Sequence, residues 1–561
     1  MKFFVFVIVL YTVLASLAFG KLPETFFQQD EWLIFGNIIY ADKTQLSLFD
    51  RLFVNEQGTH LVPFTSVLTL IQYRFYGLNF ASYAITGIAL HLVNALLVFV
   101  LTNLLLKKKW VAVLAGGIFL INSISHQAIT WVATVFGTAS TTVALLLSLI
   151  CFVKYIEGRE RNWRILWVSL MLFLFSLGFN ESSIFAFLVY PLFWFVFSKK
   201  RSLHGAIKIL LPLGVIGTLY ILIRLCLFTF LSPALAAQLQ LAQPSFFVYL
   251  FRIVALPIRV LAQSFVPVPF ILKGARIFVQ LAYPQFVAGH TPDPYVVESA
   301  AADILSFFIF CVILVVRYFV QSWKNRNVTR LIDVSLMFIA MSALPFIVIP
   351  GNAGYLSLID GRHLYLTGIF SAVLFATVIY TAVHWLKKKR FVVLSLILFL
   401  GLIGTYHILK IRKDVAYQVA LAKIRVPILE QITSAYPTLP KRTVFYVTSD
   451  TPYYGLPYEE PIVPFQSGFG QTLLVWYNAH GEAFPACFFE RKFLYQLLSE
   501  DYKECSGRGF GYVRKYETLN KFITENDLTV NNVIAYSWNS KTYEFRDITH
   551  EIRTKIAEVS N

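Results

Sequence analysis

The sequence predicts a polytopic α-helical membrane protein, with about eleven transmembrane helices in residues 1–410 and an extracytoplasmic α/β domain in 411–561. Three observations carry this. Charged residues make up 14% of the chain and hydrophobic residues 57%, whereas soluble domains carry about 25% charged residues. Up to residue 410, apolar runs of membrane-crossing length alternate with short basic clusters. Beyond that point the balance changes, and 411–561 holds 17 Lys and Arg against 17 Asp and Glu. Disorder, collagen, coiled coil and a small disulfide scaffold are excluded by the same composition.

Because the C-terminal segment is neutral, the net charge of +17 lies wholly within 1–410. It occurs as Lys107–Lys109, Arg159/Arg161/Arg164, Lys199–Arg201, Lys324/Arg326/Arg330 and Lys387–Arg390, each between apolar runs. Such clusters mark cytoplasmic loops by the positive-inside rule. Nucleic acid is excluded as a partner, since binding it would need one continuous basic face.

Eleven spans follow in order, near 3–20, 83–106, 110–125, 137–154, 165–179, 183–198, 206–228, 300–320, 332–350, 364–385 and 391–409. With the N-terminus inside, every basic cluster faces the cytoplasm. The acidic residues agree: of the 14 in residues 1–410, only Glu157, Glu160 and Asp333 fall on that side. The expected location is therefore the plasma membrane or its equivalent, N-terminus cytoplasmic and C-terminus extracytoplasmic. A reporter fused after residue 409 should report an extracytoplasmic position, and one near Lys388 a cytoplasmic one. The reverse at either site would overturn every loop assignment.

Residues 1–20 have a second reading as a cleaved signal peptide, with Lys2 before an apolar run that ends in small residues. The run is long for that purpose, and cleavage would release the anchor preceding Asp30-Glu31. Two external loops are long, 21–82 and 229–299. The second is rich in Pro but contains apolar stretches such as Phe246–Phe265, read as helices lying along the membrane surface. The alternative, with 246–266 crossing and 270–290 returning, is disfavoured by Arg252, Pro257 and Arg259. In the C-terminal domain Thr443–Thr448 and Val533–Trp538 read as strands, with helical periodicity near Glu490–Leu498 and Tyr516–Thr524. Cys151, Cys226 and Cys311 lie in spans as apolar filler. Cys487 and Cys505 share the external domain, where a disulfide and two free thiols are both open.

Ionisable residues at the external boundary are the candidates for chemistry. Asp30-Glu31 follows the first span between Phe26, Phe27, Trp32 and Leu33, and carboxylates held at an apolar boundary serve as general bases. Asp30 is the expected base and Glu31 its supporting neighbour, because consecutive residues point in different directions. His60 and His126 lie at the same face, while His91, deeper in a span, is expected to pack between helices. Glu181 occupies the turn between spans five and six. Arg362, in Asp360-Gly361-Arg362-His363-Leu364-Tyr365, stands at the outer mouth of span ten, where a guanidinium grips phosphate through two N–H groups. Arg224 and Arg259 are further candidates. No Cys/His spacing forms a zinc site.

These residues resemble the motifs of GT-C membrane glycosyltransferases over about residues 1–410. The acidic pair, His60-x-x-Pro63 and the run from Tyr76-Gly77-Leu78-Asn79 to His91-Leu92-Val93-Asn94 look like that class, and are most similar to the protein O-mannosyltransferases and to the transmembrane/tetratricopeptide O-mannosyltransferases. His126…Trp131, Asn180-Glu181 and Arg362-His363-Leu364-Tyr365-Leu366 are similar to the transmembrane/tetratricopeptide O-mannosyltransferases. The tetratricopeptide repeats and β-trefoil insert of those families are missing here. Asn180 stands where a basic residue is usual, and no Lys follows the His60 motif.

The resemblance implies transfer, with inversion, from a polyprenyl-phosphate sugar to a hydroxyl of a protein or glycan acceptor at the external membrane surface. Asp30 and Glu31 would be catalytic. Arg362, Arg224 and Arg259 would bind the donor phosphate, with His60, His126, Glu181, His363 and Tyr365 in support. The scheme requires no cofactor; Asp30 and Glu31 are the residues that would recruit a divalent metal if one took part. Two other classes compete: a lipid-glycan polymerase or ligase, and a transporter or flippase, which would favour broken helices meeting at mid-membrane.

Overall fold

The computed structural model describes residues 2–28, 30–54, 61–158, 162–198, 203–231, 246–282, 294–321, 326–347, 359–386, 390–450 and 468–560. Among them nine helices are long and apolar enough to cross a membrane, and three shorter apolar helices accompany them. The chain is an integral membrane protein.

It opens with α1 (Lys2–Phe19), α2 (Asp30–Lys43), α3 (Pro63–Tyr76), α4 (Phe80–Leu106), α5 (Lys109–Leu120) and the single turn α6 (Gln127–Thr130). There follow α7 (Val132–Glu157), α8 (Trp163–Phe179), α9 (Ala186–Phe197), α10 (Leu203–Leu231), α11 (Phe246–Gln263), α12 (Val268–Ala282), α13 (Pro294–Gln321) and α14 (Arg326–Met341). The turn α15 (Leu344–Ile347) precedes α16 (Tyr365–Leu386) and α17 (Arg390–Ala435). Each of the eleven expected spans overlaps one of these helices.

The twelfth apolar helix is α11, which the sequence reading lays on the membrane surface. By length and composition it also qualifies to cross. The arginines that argue against crossing are turned into the protein: Arg252 donates to the Ile347 carbonyl at 3.2 Å, and Arg259 grips Asp303 of α13. Its outer side, with Phe246, Phe247 and Val254, is apolar. That is the arrangement of a helix with protein on its polar side and lipid on the other.

In the core of the bundle α7 is the central element, almost wholly buried, with α4 and α8 along its length. Its small and hydroxylated residues let neighbours approach, as is usual where helices meet in lipid. Ser148 of α7 bonds the Tyr190 hydroxyl of α9 at 2.6 Å, and Asn94 of α4 donates to the Ala139 carbonyl at 3.0 Å. At the opposite end from the sheet domain, Glu157 lies 3.8 Å from Lys107 and Asp333 pairs with Arg317 at 2.9 Å.

The last helix of the bundle, α17, runs unbroken through residue 410, where the composition changes, and delivers the chain to the C-terminal domain. There β1 (Arg442–Ser449) is followed by α18 (Phe469–Ala479), α19 (Arg491–Gln496), β2 (Asp501–Cys505), β3 (Arg508–Val513), α20 (Tyr516–Glu525), β4 (Val533–Asn539), β5 (Glu544–Asp547) and α21 (Thr549–Ser560). The sheet order is β2-β3-β1-β4-β5. Central β1 pairs in parallel with β3 and β4, and the outer strands pair antiparallel. Alternation along β1 sorts its side chains: Val444 and Tyr446 share a core with Leu519 and Ile556 of α20 and α21, while Phe445 and Val447 join Leu473 of α18. The second of these cores is continuous with that of the bundle. A disulfide joins Cys487 and Cys505.

The domain docks on α2. Phe26 meets Trp476 edge-on with ring centroids 6.2 Å apart, and Lys43 lies over the Phe489 ring. Gly36 makes this contact close, since a Cβ there would fall 2.7 Å from Leu494 Cδ1. Thus the helix that begins with Asp30-Glu31 is held between bundle and sheet.

Candidate functional site

The two acids at the start of α2 are both favourably placed at a helix N-terminus, yet they face different surroundings. Glu31 is 1% exposed. One of its oxygens accepts the Gln28 N–H and the other the Ala133 N–H, both at 3.3 Å. Ala133 belongs to the first turn of α7, so Glu31 caps that helix from outside and ties α2 to it. Asp30, one residue earlier, is accessible and makes no hydrogen bond or ion pair among the described residues. Protein nevertheless surrounds most of it, and this loss of hydration raises its pKa, an effect opposed by the positive charge of Arg362.

Arg362 comes from a 3-10 turn, Gly361–Leu364, capped by the Asp360 side chain. Gly361 brings this turn against the 122–131 loop, because a Cβ there would lie 2.4 Å from the Ile124 carbonyl oxygen. Across that contact the guanidinium stacks 4.6 Å above the Trp131 ring. The Asp360 carboxylate approaches Nε at 3.2 Å but outside hydrogen-bonding alignment, so Arg362 Nε is left without an acceptor, as is Trp131 Nε1. Two buried N–H donors thus share one spot within electrostatic reach of Asp30. Arg362 and Asp30 form no direct ion pair, although the charge of one is felt at the other.

The same loop is fastened to α17. His126 Nδ1 is 2.6 Å from the Ser123 carbonyl, and Nε2 is 2.9 Å from Asp414. Both ring nitrogens are thus held, one by the loop itself and one by α17. Lys410 binds Asp414 at 2.6 and 2.8 Å, and His407 receives Ser123 Oγ at 2.7 Å.

The other expected site residues lie apart. Arg224 and Glu181 face each other at 3.3 Å. Arg259 makes a two-pronged pair with Asp303 at 2.5 Å, so its fork is already filled by a carboxylate. His363 is exposed beside the Phe346 ring. Tyr365 is buried in the bundle, its hydroxyl 2.6 Å from His91 Nδ1 and 3.3 Å from Asn94. His91 Nε2 meets the Leu120 carbonyl at 2.9 Å, so that imidazole and phenol together link α4, α5 and α16. His60 lies outside the described residues. Both Glu31 oxygens accept backbone N–H groups, whereas the Asp30 oxygens are open. Among the described residues no group of three or more His, Cys, Asp or Glu is placed to hold a metal.

The stacked Trp131 and the fastening residue Asp414 are not singled out as site residues by the sequence. Trp131 belongs to a motif already noted, but its pairing with Arg362 is a tertiary contact. Asp414 falls beyond 410, in the segment assigned to the soluble domain. Its spacing with His407 and Lys410 on one helix face is the signal that would have found it.

No family model matches the chain, and no curated protein matches it. Among solved structures it is similar to the Archaeoglobus fulgidus oligosaccharyltransferase tethered to an acceptor peptide containing the NVT sequon. The TM-score is 0.43 and the identity 14%, covering 96% of this chain and 69% of that one. It is also similar to the archaeal oligosaccharyltransferase AglB from the same organism, in complex with an inhibitory peptide and a dolichol-phosphate. There the TM-score is 0.43 and the identity 16%, covering 86% and 65% of the two chains. Likeness of this extent carries no argument about the chemistry.

Proposed function

We propose that this chain is a GT-C-type glycosyltransferase that moves a sugar, with inversion, from a polyprenyl-phosphate donor to a hydroxyl of a protein or glycan acceptor at the extracytoplasmic face. One observation carries the reading: an accessible carboxylate at the start of α2, free of hydrogen bonds among the described residues, lies within electrostatic reach of Arg362, with which it makes no ion pair. Asp30 takes the proton of the acceptor hydroxyl, whose oxygen attacks the anomeric carbon. The bond from that carbon to the phosphate oxygen breaks on the opposite side, which inverts the centre. The departing polyprenyl phosphate gains negative charge, and Arg362 with the Trp131 N–H supplies donors for it. Arg224, Arg259, Glu181, His363 and Tyr365 serve the scaffold in this scheme, through the pairs and packing described above.

The deciding experiment incubates purified protein in lipid nanodiscs with a polyprenyl-phosphate sugar and a hydroxyl-bearing acceptor. Release of polyprenyl phosphate together with glycosylated acceptor is expected. A transporter would release none, and that result would end the proposal. Glu31→Gln in the same preparation should lower thermal stability by about 1.5–3 kcal/mol, the worth of hydrogen bonds to a charged group, and slow transfer less than Asp30→Asn does. An unchanged unfolding midpoint would show that Glu31 does not cap α7.

A further inference from the structure

The turn that carries Arg362 shapes itself but does not locate itself. The Asp360 side chain caps it, and the His363 N–H reaches the Asp360 carbonyl at 2.9 Å, both bonds lying within the turn. Besides the close approach at Gly361, two outside holds bracket the arginine. Three residues after it, the Tyr365 hydroxyl meets His91 and Asn94. Three residues before it, Ile359 is bound by Gln263, the last residue of α11.

The Gln263 amide takes both backbone groups of Ile359. Nε2 donates to the carbonyl at 3.3 Å, and Oε1 accepts the N–H at 3.2 Å, much as a neighbouring strand would. Gln263 is 0% exposed, so water does not compete for the amide, and an amide left unbonded there would be costly. Two directional bonds fix orientation as well as distance, which apolar packing would not. α11 gives this amide a firm base. Arg252, Leu256, Arg259 and Gln263 recur at helical spacing along one face, and all four are buried. Arg252 donates to the Ile347 carbonyl of α15, and Arg259 takes both oxygens of Asp303 on α13. The helix is thus tied at two points before it presents Gln263 to the approach to Arg362.

We infer that Gln263 is a positioning residue: through Ile359 it sets where the Arg362 guanidinium stands over Trp131, and binding of the donor phosphate depends on it through that arginine. The inference rests on the proposed function and adds to it the residue that fixes the phosphate contact. Gln263 itself touches no substrate in this scheme.

The test combines Gln263→Met, unbranched and of like length but unable to make either bond, with Arg362→Ala, each alone and together. The full chain in nanodiscs is titrated with polyprenyl phosphate. Gln263→Met should raise Kd roughly tenfold, a coupling of the size found between residues of one network. In the Arg362→Ala background the same substitution should change Kd by less than about twofold. A residue that only supports the fold would weaken binding equally in both backgrounds. That result, or an unchanged Kd in Gln263→Met alone, overturns the assignment.

Amide hydrogen exchange without donor provides a second arm. Deuterium uptake in peptides covering 359–365 should rise in Gln263→Met and stay near wild type in Arg362→Ala. Gln263→Leu loses the same bonds with a different shape and should match it, carrying both measurements if Gln263→Met does not fold. Unchanged uptake in a folded variant refutes the positioning role while leaving the transferase reading intact. Failure of the wild-type chain to transfer from any polyprenyl-phosphate sugar refutes the transferase reading itself, and the exchange result still decides whether Gln263 fixes the turn.

Discussion

Asp30→Asn should fold, bind donor normally and transfer sugar about 10²–10⁴-fold more slowly, the usual loss when a general base is removed. Folding should survive because Asp30 makes no hydrogen bond or ion pair among the described residues, whereas Glu31 beside it holds two backbone groups. The pH dependence provides an independent check. Burial raises the Asp30 pKa above that of a free carboxyl, with Arg362 opposing. A base works only when deprotonated, so activity is present above the folded pKa and is lost as pH falls through it. The acidic limb of kcat/KM should therefore lie at higher pH than for a solvated aspartate. Removing Arg362 should move that limb higher still, because its charge favours the ionised form. Wild-type transfer by Asp30→Asn, with the acidic limb unmoved, would show that another group takes the proton.

Arg362→Ala should weaken donor binding by about 1.5–3 kcal/mol, the value of a charge-assisted contact, or roughly 10- to 150-fold in Kd. Arg362→Lys should be clearly impaired as well. An ammonium retains the charge but reproduces neither the flat stack on Trp131 nor the guanidinium fork. Titration with polyprenyl phosphate alone measures this without turnover. Wild-type affinity in Arg362→Ala would move the phosphate to another cation. Arg259 is poorly placed for it, because its fork is already held by Asp303.

The membrane architecture was legible because its rules are compositional. Twenty apolar residues and a basic cluster can be recognised without knowing what they touch, and each expected span overlaps a helix. α11 was harder, because its charge is on the side facing protein, and no local pattern tells which neighbour will cover an arginine. The site divides the same way. The acidic pair and Arg362 stand out as ionisable groups at an apolar boundary. That Glu31 reaches Ala133, 102 positions along the chain, depends on how α2 packs against α7, which periodicity does not encode. Tyr365 shows the opposite limit: it lies within a boundary motif, but the helical turn carries its hydroxyl inward to His91. Two strands of the C-terminal domain, β1 and β4, were readable from composition, whereas β2, β3 and β5 were not, nor was the domain's seat on α2, where Gly36 meets Leu494.

The reach of α17 sets an order of events during synthesis. The 122–131 loop emerges early, but the residues that fasten it, His407 and Asp414, belong to the final helix of the bundle. Residues 476–494, against which α2 rests, emerge later still. A ribosome-bound chain that has inserted its first nine or ten helices would thus present the 122–131 loop unsecured. Only synthesis of that last helix supplies the clasp, so the loop takes its finished place late. Arresting translation before Arg390 and probing the loop with a protease would reveal this, the loop being cut in the arrested chain and protected in the finished one.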